Sequence, residues 1–85
     1  MVAAELLPRY RNLSKEDSEK VFTGLAGALH VPDPSVRMAA GEALADLGDK
    51  RGIAELGRAI GDEQGEVVRL RLEEDLNKLT NKIRQ

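Results

Sequence analysis

From Ser14 onward the apolar residues recur at intervals of three and four, and no stretch alternates apolar with polar for more than a few positions. The chain therefore reads as helices. Ser14 followed by Lys15, Glu16 and Asp17 forms a capping box with Asp in place of the usual Glu, and Val21, Phe22, Leu25, Ala26 and Leu29 then share one helical face. This helix is expected to end near His30. Pro32 and Pro34 remove amide donors and push Val31 and Asp33 out of the α region, so the segment HVPDPS is a turn. Asp33 suits the N-cap of the next helix and Pro34 its first position, where a missing donor costs nothing.

The second helix, over 34–47, carries Val36, Ala39, Ala40, Ala43, Leu44 and Leu47 on one stripe and ends at Gly48, suited to a left-handed cap. Met38, Gly41 and Ala45 form a second stripe, which predicts neighbours on two sides. After the turn Gly48-Asp-Lys-Arg-Gly52 comes a short helix with Ile53, Leu56 and Ile60 inward, ended by Gly61. The last helix, over 66–83, aligns Val68, Leu72, Leu76, Leu79 and Ile83, with Glu73, Glu74, Lys78 and Lys82 on its outer face. In residues 1–13, Val2, Ala3, Leu6 and Leu7 read as a short opening helix interrupted by Pro8, with Tyr10 and Leu13 packing back on the body. Gly24, Gly27 and Gly57 lie inside predicted helices at a cost of roughly 0.5–1 kcal/mol each against alanine, and close helix approach is the expected compensation.

The chain aligns with itself. Ile53, Leu56 and Ile60 match Phe22, Leu25 and Leu29 at an offset of 31, and Val68, Arg69, Leu72, Leu76 and Leu79 match Val36, Arg37, Ala40, Leu44 and Leu47 at an offset of 32. A helix–turn–helix unit is duplicated. The fold class is accordingly all-α, a single domain over 1–85 of stacked antiparallel helical hairpins, about two repeats plus a short N-terminal segment. Each hairpin cannot bury its own apolar face, and stacking completes the core. With so few repeats, marginal stability is expected.

The run PDPSVRMAAGEALADLGDKRGIAELGRAIGD resembles the HEAT-like repeat of the short, phycobilisome-lyase type. It has Asp-Pro, Val-Arg, small residues, Ala-Leu and Leu-Gly-Asp, followed by a second helix with spaced apolar residues. The next segment, GEVVRLRLEEDL, keeps only the Val-Arg and leucine positions and places Leu72 and Glu73 where the family prefers alanines, as in a degenerate terminal repeat. The resemblance implies an α-solenoid that binds partner proteins, its concave surface formed by the second helices of the hairpins. On that basis Glu19, Lys20, Thr23, Glu55 and Arg58 are the candidate partner-binding surface. The resemblance implies no lyase activity, and similar repeats occur as appended domains of larger enzymes, including some metallopeptidases.

Composition narrows the chemistry. With no Cys and one His in 85 residues, there is no thiolate zinc site, nucleophilic Cys or His-rich cage, and no metal or cofactor is expected. Thirteen Lys and Arg against 15 Asp and Glu give a net charge of −2, which does not draw the chain to nucleic acid or anionic membranes. No apolar run is long enough for a membrane span and Glu5 breaks any signal-like region, which points to the cytoplasm.

Arg37 and Arg69 lie in the first turn of their helices, where the macrodipole disfavours a cation. Each is expected to reach a carboxylate or turn carbonyl of an adjacent repeat, with Asp33, Asp49 and Asp62 as candidate partners. His30 reads as a helix C-terminal residue. The clusters Asp62, Glu63, Glu66 and Glu73, Glu74, Asp75 read as helix-terminal and solvated acids, not as catalytic pairs. No catalytic residue is assigned. The function expected is a non-catalytic protein-interaction or scaffold module. Two alternatives stand beside it: an oligomerisation element, as a homodimer through the Val68–Ile83 stripe, Val67 and Leu70, and a weak nucleic-acid binder through Arg9, Arg11, Lys15, Arg69 and Arg71.

Overall fold

The structure, a computed structural model, describes residues 14–84. The opening helix expected from Val2 to Leu7, the positions of Tyr10 and Leu13, and the cations Arg9 and Arg11 lie outside the described residues. Four helices follow one another: α1 Lys15–Ala28, α2 Pro34–Leu47, α3 Arg51–Asp62 and α4 Glu66–Arg84.

Local chemistry explains most of these boundaries. The Ser14 hydroxyl accepts from the Asp17 amide at 3.1 Å, which is half of the expected capping box. Helix α1 stops at Ala28, slightly before the expected end, because the Leu29 amide is shared between the Leu25 and Ala26 carbonyls as the last turn tightens. Asp33 caps α2 by accepting from the Ser35 amide at 2.9 Å, with Pro34 at the first position. Gly48 ends α2 with φ of 79°, in the left-handed region that glycine enters without penalty. Asp49 then accepts from the Arg51 amide at 2.9 Å and starts α3.

Gly61 does not end α3. The helix runs one residue further to Asp62, and the chain turns out at Glu63, which is extended at φ −78° and ψ 125°. The Glu63 carboxylate accepts from the Gly65 amide at 2.9 Å, bracing the turn into α4.

Helix α2 lies most extensively along α4, α4 packs along α3, and α1 packs on α2, with shorter contacts between α1 and α3 and between α2 and α3. The duplicated units thus pair like with like. One core joins all four helices: Phe22 and Leu29 from the first, Ala40, Leu44 and Ala45 from α2, Leu56 and Ala59 from α3, and Val68, Leu72 and Leu79 from α4. Five leucines, Leu29, Leu44, Leu56, Leu72 and Leu79, are essentially sealed from water.

The expectation for the helix-interior glycines is corrected. A Cβ added at Gly24, Gly27 or Gly57 would meet nothing within 4 Å, so these three face open space. The close approaches occur instead at Gly41, where a Cβ would lie 2.5 Å from Leu72 Cδ2, and at Gly52, where it would lie 2.9 Å from Leu79 Cδ2. Val36 and Ala39, expected on the inner stripe of α2, are exposed. Ala39 borders an open groove with Arg71, Glu74 and Asp75 of α4, whereas Gly41 and Ala45 take the buried seam.

Candidate partner-binding surface

Helices α1 and α3 are repeat equivalents and lie on the same side of the chain's core. They are joined across their surface by Arg51. Its guanidinium donates through Nη1 to Glu19 Oε2 at 3.1 Å and through Nη2 to Glu19 Oε1, and through Nε to both Asp49 oxygens at 3.1 and 3.2 Å. The same guanidinium stacks 4.3 Å from the centroid of the Phe22 ring, where the ring quadrupole attracts a cation. Hydrogen bonds from Arg51 hold the Glu19 and Asp49 carboxyls below the usual carboxylate range. The network therefore presents fixed charge at any pH near neutrality and offers no group poised to take or give a proton.

Around it the surface is open and flat in chemistry. Lys20 and Thr23 are exposed on α1, and Arg58 pairs with Glu55 at 3.5 Å along α3. Gly24 and Gly27 on α1 and Gly57 on α3 leave stretches of helix without side chains among these charges. No three His, Cys, Asp or Glu residues among those described are grouped to hold a metal ion. No helix among the described residues is long and apolar enough to cross a membrane.

A second inter-repeat contact sits at the turns. Arg37 donates through Nε to Glu63 Oε1 at 2.8 Å and through Nη2 to Oε2 at 3.1 Å, while Nη1 donates to the Val31 and Pro32 carbonyls, each at 2.8 Å. The bidentate bond holds the Glu63 carboxyl below its ordinary range. On the α2–α4 side, Lys78 donates to Asp46 at 3.1 Å. Asp46–Lys78 joins residues 32 apart, the step at which α2 repeats in α4, and Glu19–Arg51 joins α1 to the first residue of α3, one position beyond the 31-residue step of that pair of helices.

A family model described as HEAT repeats matches residues 2–77. The chain belongs to the HEAT-repeat family. No curated protein and no solved structure matches it. The Glu19–Arg51 and Asp46–Lys78 ion pairs are thus contacts between successive HEAT units.

Of the partner-surface candidates, Glu19, Lys20, Thr23, Glu55 and Arg58 all fall on the HEAT α1 and α3 helices, with Glu19 already engaged by Arg51. The residues expected to bridge repeats distribute differently. Arg37 takes turn carbonyls and a carboxylate, but the carboxylate is Glu63 and not Asp33, Asp49 or Asp62. Asp33 is occupied as the α2 cap and Asp49 by Arg51. Asp62 is exposed at the end of α3, because the helix continues through it and points the next residue, Glu63, toward Arg37. Arg69 makes no side-chain hydrogen bond with another described residue and acts on Glu63 only through its charge.

The homodimer stripe is largely consumed by the HEAT core: Val68, Leu72 and Leu79 are buried, leaving Val67, Leu70 and Ile83 exposed. Lys15 stands on α1, which makes no contact with the α4 that carries Arg69 and Arg71, so these cations form no common patch. Arg51 and Glu63 carry contacts between repeats for which the sequence had not singled them out. The repeat alone does not mark Arg51, because the 31-residue step from α1 to α3 carries Glu19 onto Lys50, one residue before it.

Proposed function

We propose that this HEAT-repeat module binds a partner protein across the α1–α3 face, with Glu19, Lys20, Thr23, Glu55 and Arg58 as contact residues. The observation that supports the reading is the Arg51 network. It ties Glu19 of one repeat to Asp49 of the next and so presents the two helices as one preorganised surface with little rotamer entropy left to lose. Glycines 24, 27 and 57 add to it by letting a partner approach the helix backbone without meeting side chains. Mixed charge with an open, uncovered backbone suits recognition of a polar, extended protein surface. We further propose the short phycobilisome-lyase type for the repeats, on Asp33-Pro34, Val36-Arg37 and Leu47-Gly48-Asp49, with no lyase activity attached.

A photo-crosslinking residue placed at Thr23, with an identical one at Asn81 on α4 as a control, tests the reading in cells producing the protein. The expected result is an adduct of one defined size from Thr23 alone, lost in the E55K/R58E variant. Equal labelling from both positions, or an adduct indifferent to E55K/R58E, overturns it.

A further inference from the structure

The seat that one repeat offers the next can be read directly from α2. Its seam with α4 is made by Gly41, where a Cβ would come within 2.5 Å of Leu72 Cδ2 and 2.8 Å of Asp75 Oδ2, and by Ala45, which is fully buried and whose carbonyl accepts from Lys82 Nζ at 3.3 Å. Met38 flanks the seam, in a groove shared with Arg71 and Asp75 of α4. At these positions α2 supplies no side chain, one methyl group and one flexible apolar chain.

The repeat offset carries these positions onto α4 as Glu73, Asn77 and Leu70, respectively. Glu73 and Asn77 are exposed, and Leu70 is 57 % exposed beside Val67 at 65 %. A helix seated on α4 as α4 is seated on α2 would meet a carboxylate where the backbone must pass within contact distance. It would also bury that carboxylate and an amide without partners, and unpaired buried polar groups are expensive.

We propose that Glu73 and Asn77 bar a second copy of this chain from adding a hairpin to the α4 face where Val67 and Leu70 remain uncovered. Polar outer faces on terminal repeats keep stacked-hairpin proteins from growing by association. Two exposed apolar side chains are by themselves far below the roughly 1,200 Å2 of buried surface that a specific interface needs, so polar residues at the centre of the face suffice to hold it open.

Sedimentation velocity over a concentration series tests this with wild type, E73A/N77A and E73A/N77A/L70E. Alanine is a stronger helix former than either residue replaced, so the variants keep α4 helical, and circular dichroism checks it. Wild type is expected to be monomeric throughout. E73A/N77A is expected to associate at least tenfold more tightly, and adding L70E to reverse the gain. Wild-type self-association that L70E alone abolishes would show the face to be an interface, and a double variant as monomeric as wild type would show that Glu73 and Asn77 do not guard it; either result overturns the proposal.

Discussion

The Arg37 guanidinium grips both carboxylate oxygens of Glu63, 26 residues further along the chain, with parallel bonds of 2.8 and 3.1 Å. The Glu63 side chain is only 5 % exposed. Removing the arginine therefore strands a nearly buried carboxylate and also frees the Val31 and Pro32 carbonyls. Arg37→Ala is expected to cost about 2 kcal/mol, the scale for losing hydrogen bonds to a charged group. In a domain this small that lowers the melting temperature by roughly 10 °C. Thermal unfolding followed by circular dichroism measures it, and a shift of a degree or two would show that the pair is incidental.

Asp75 responds to pH in the opposite sense to Glu63. Burial at the α2–α4 seam, and then the charge of Glu42, push its carboxyl up to about 6, with Glu74 and Asp46 adding and Lys78 opposing. Between the ordinary value of 3.8 and about 6 the folded chain holds a proton that the unfolded chain releases, so stability falls as pH rises through this window and is flat above it. Glu63, held low by Arg37, contributes above the ordinary carboxylate range and is lost in acid. Melting temperature plotted against pH should peak at about pH 5. Asp75→Asn should remove the descending limb and raise stability at neutral pH by roughly 1 kcal/mol, after allowance for solvent screening at this half-exposed carboxyl.

The glycines divide into two classes with opposite responses to alanine. At Gly24 and Gly57 an added Cβ meets open space, so Gly24→Ala and Gly57→Ala should each stabilise by about 0.5–1 kcal/mol through helix propensity. At Gly41 the same methyl would press on Leu72 and Asp75, and Leu72 is sealed in the core with nowhere to move. Gly41→Ala should destabilise by about 1 kcal/mol or more, overpacking outweighing propensity. Denaturant midpoints for the three variants decide the matter by their signs.

Leu72 joins the core at the meeting of α2, α3 and α4 and is fully buried. Leu72→Ala should cost about 2–5 kcal/mol, the range for truncating a core leucine. With total stability at the low end for a domain of this size, that variant should be mostly unfolded at 37 °C, seen as loss of the helical circular dichroism signal.

Neighbouring residues alone were enough to place the helices and the repeat. Ser14, Asp33 and Gly48 act on groups within four residues of themselves, and the apolar stripe from Val68 to Leu79 follows from helical pitch, so these features need no knowledge of the fold. That Glu19, Lys20, Thr23, Glu55 and Arg58 fall on α1 and α3 follows from the same helical periods, whereas their use as a partner-binding surface rests on the family resemblance.

Other features were set by packing. Which acidic residue meets Arg37 depends on whether α3 stops at Gly61 or runs to Asp62, and one residue of helix turns the side chain by about 100°. Which glycines serve as seams depends on the side from which α4 approaches α2. That side selects Gly41, which the stripe with Met38 and Ala45 had marked, and leaves Gly24, Gly27 and Gly57 bare, although close approach was expected of them too. Local hydrogen bonding and periodicity are written in short stretches of chain, whereas contact between residues 26 or 32 apart depends on the relative rotation of whole helices, which the packing of the shared core determines.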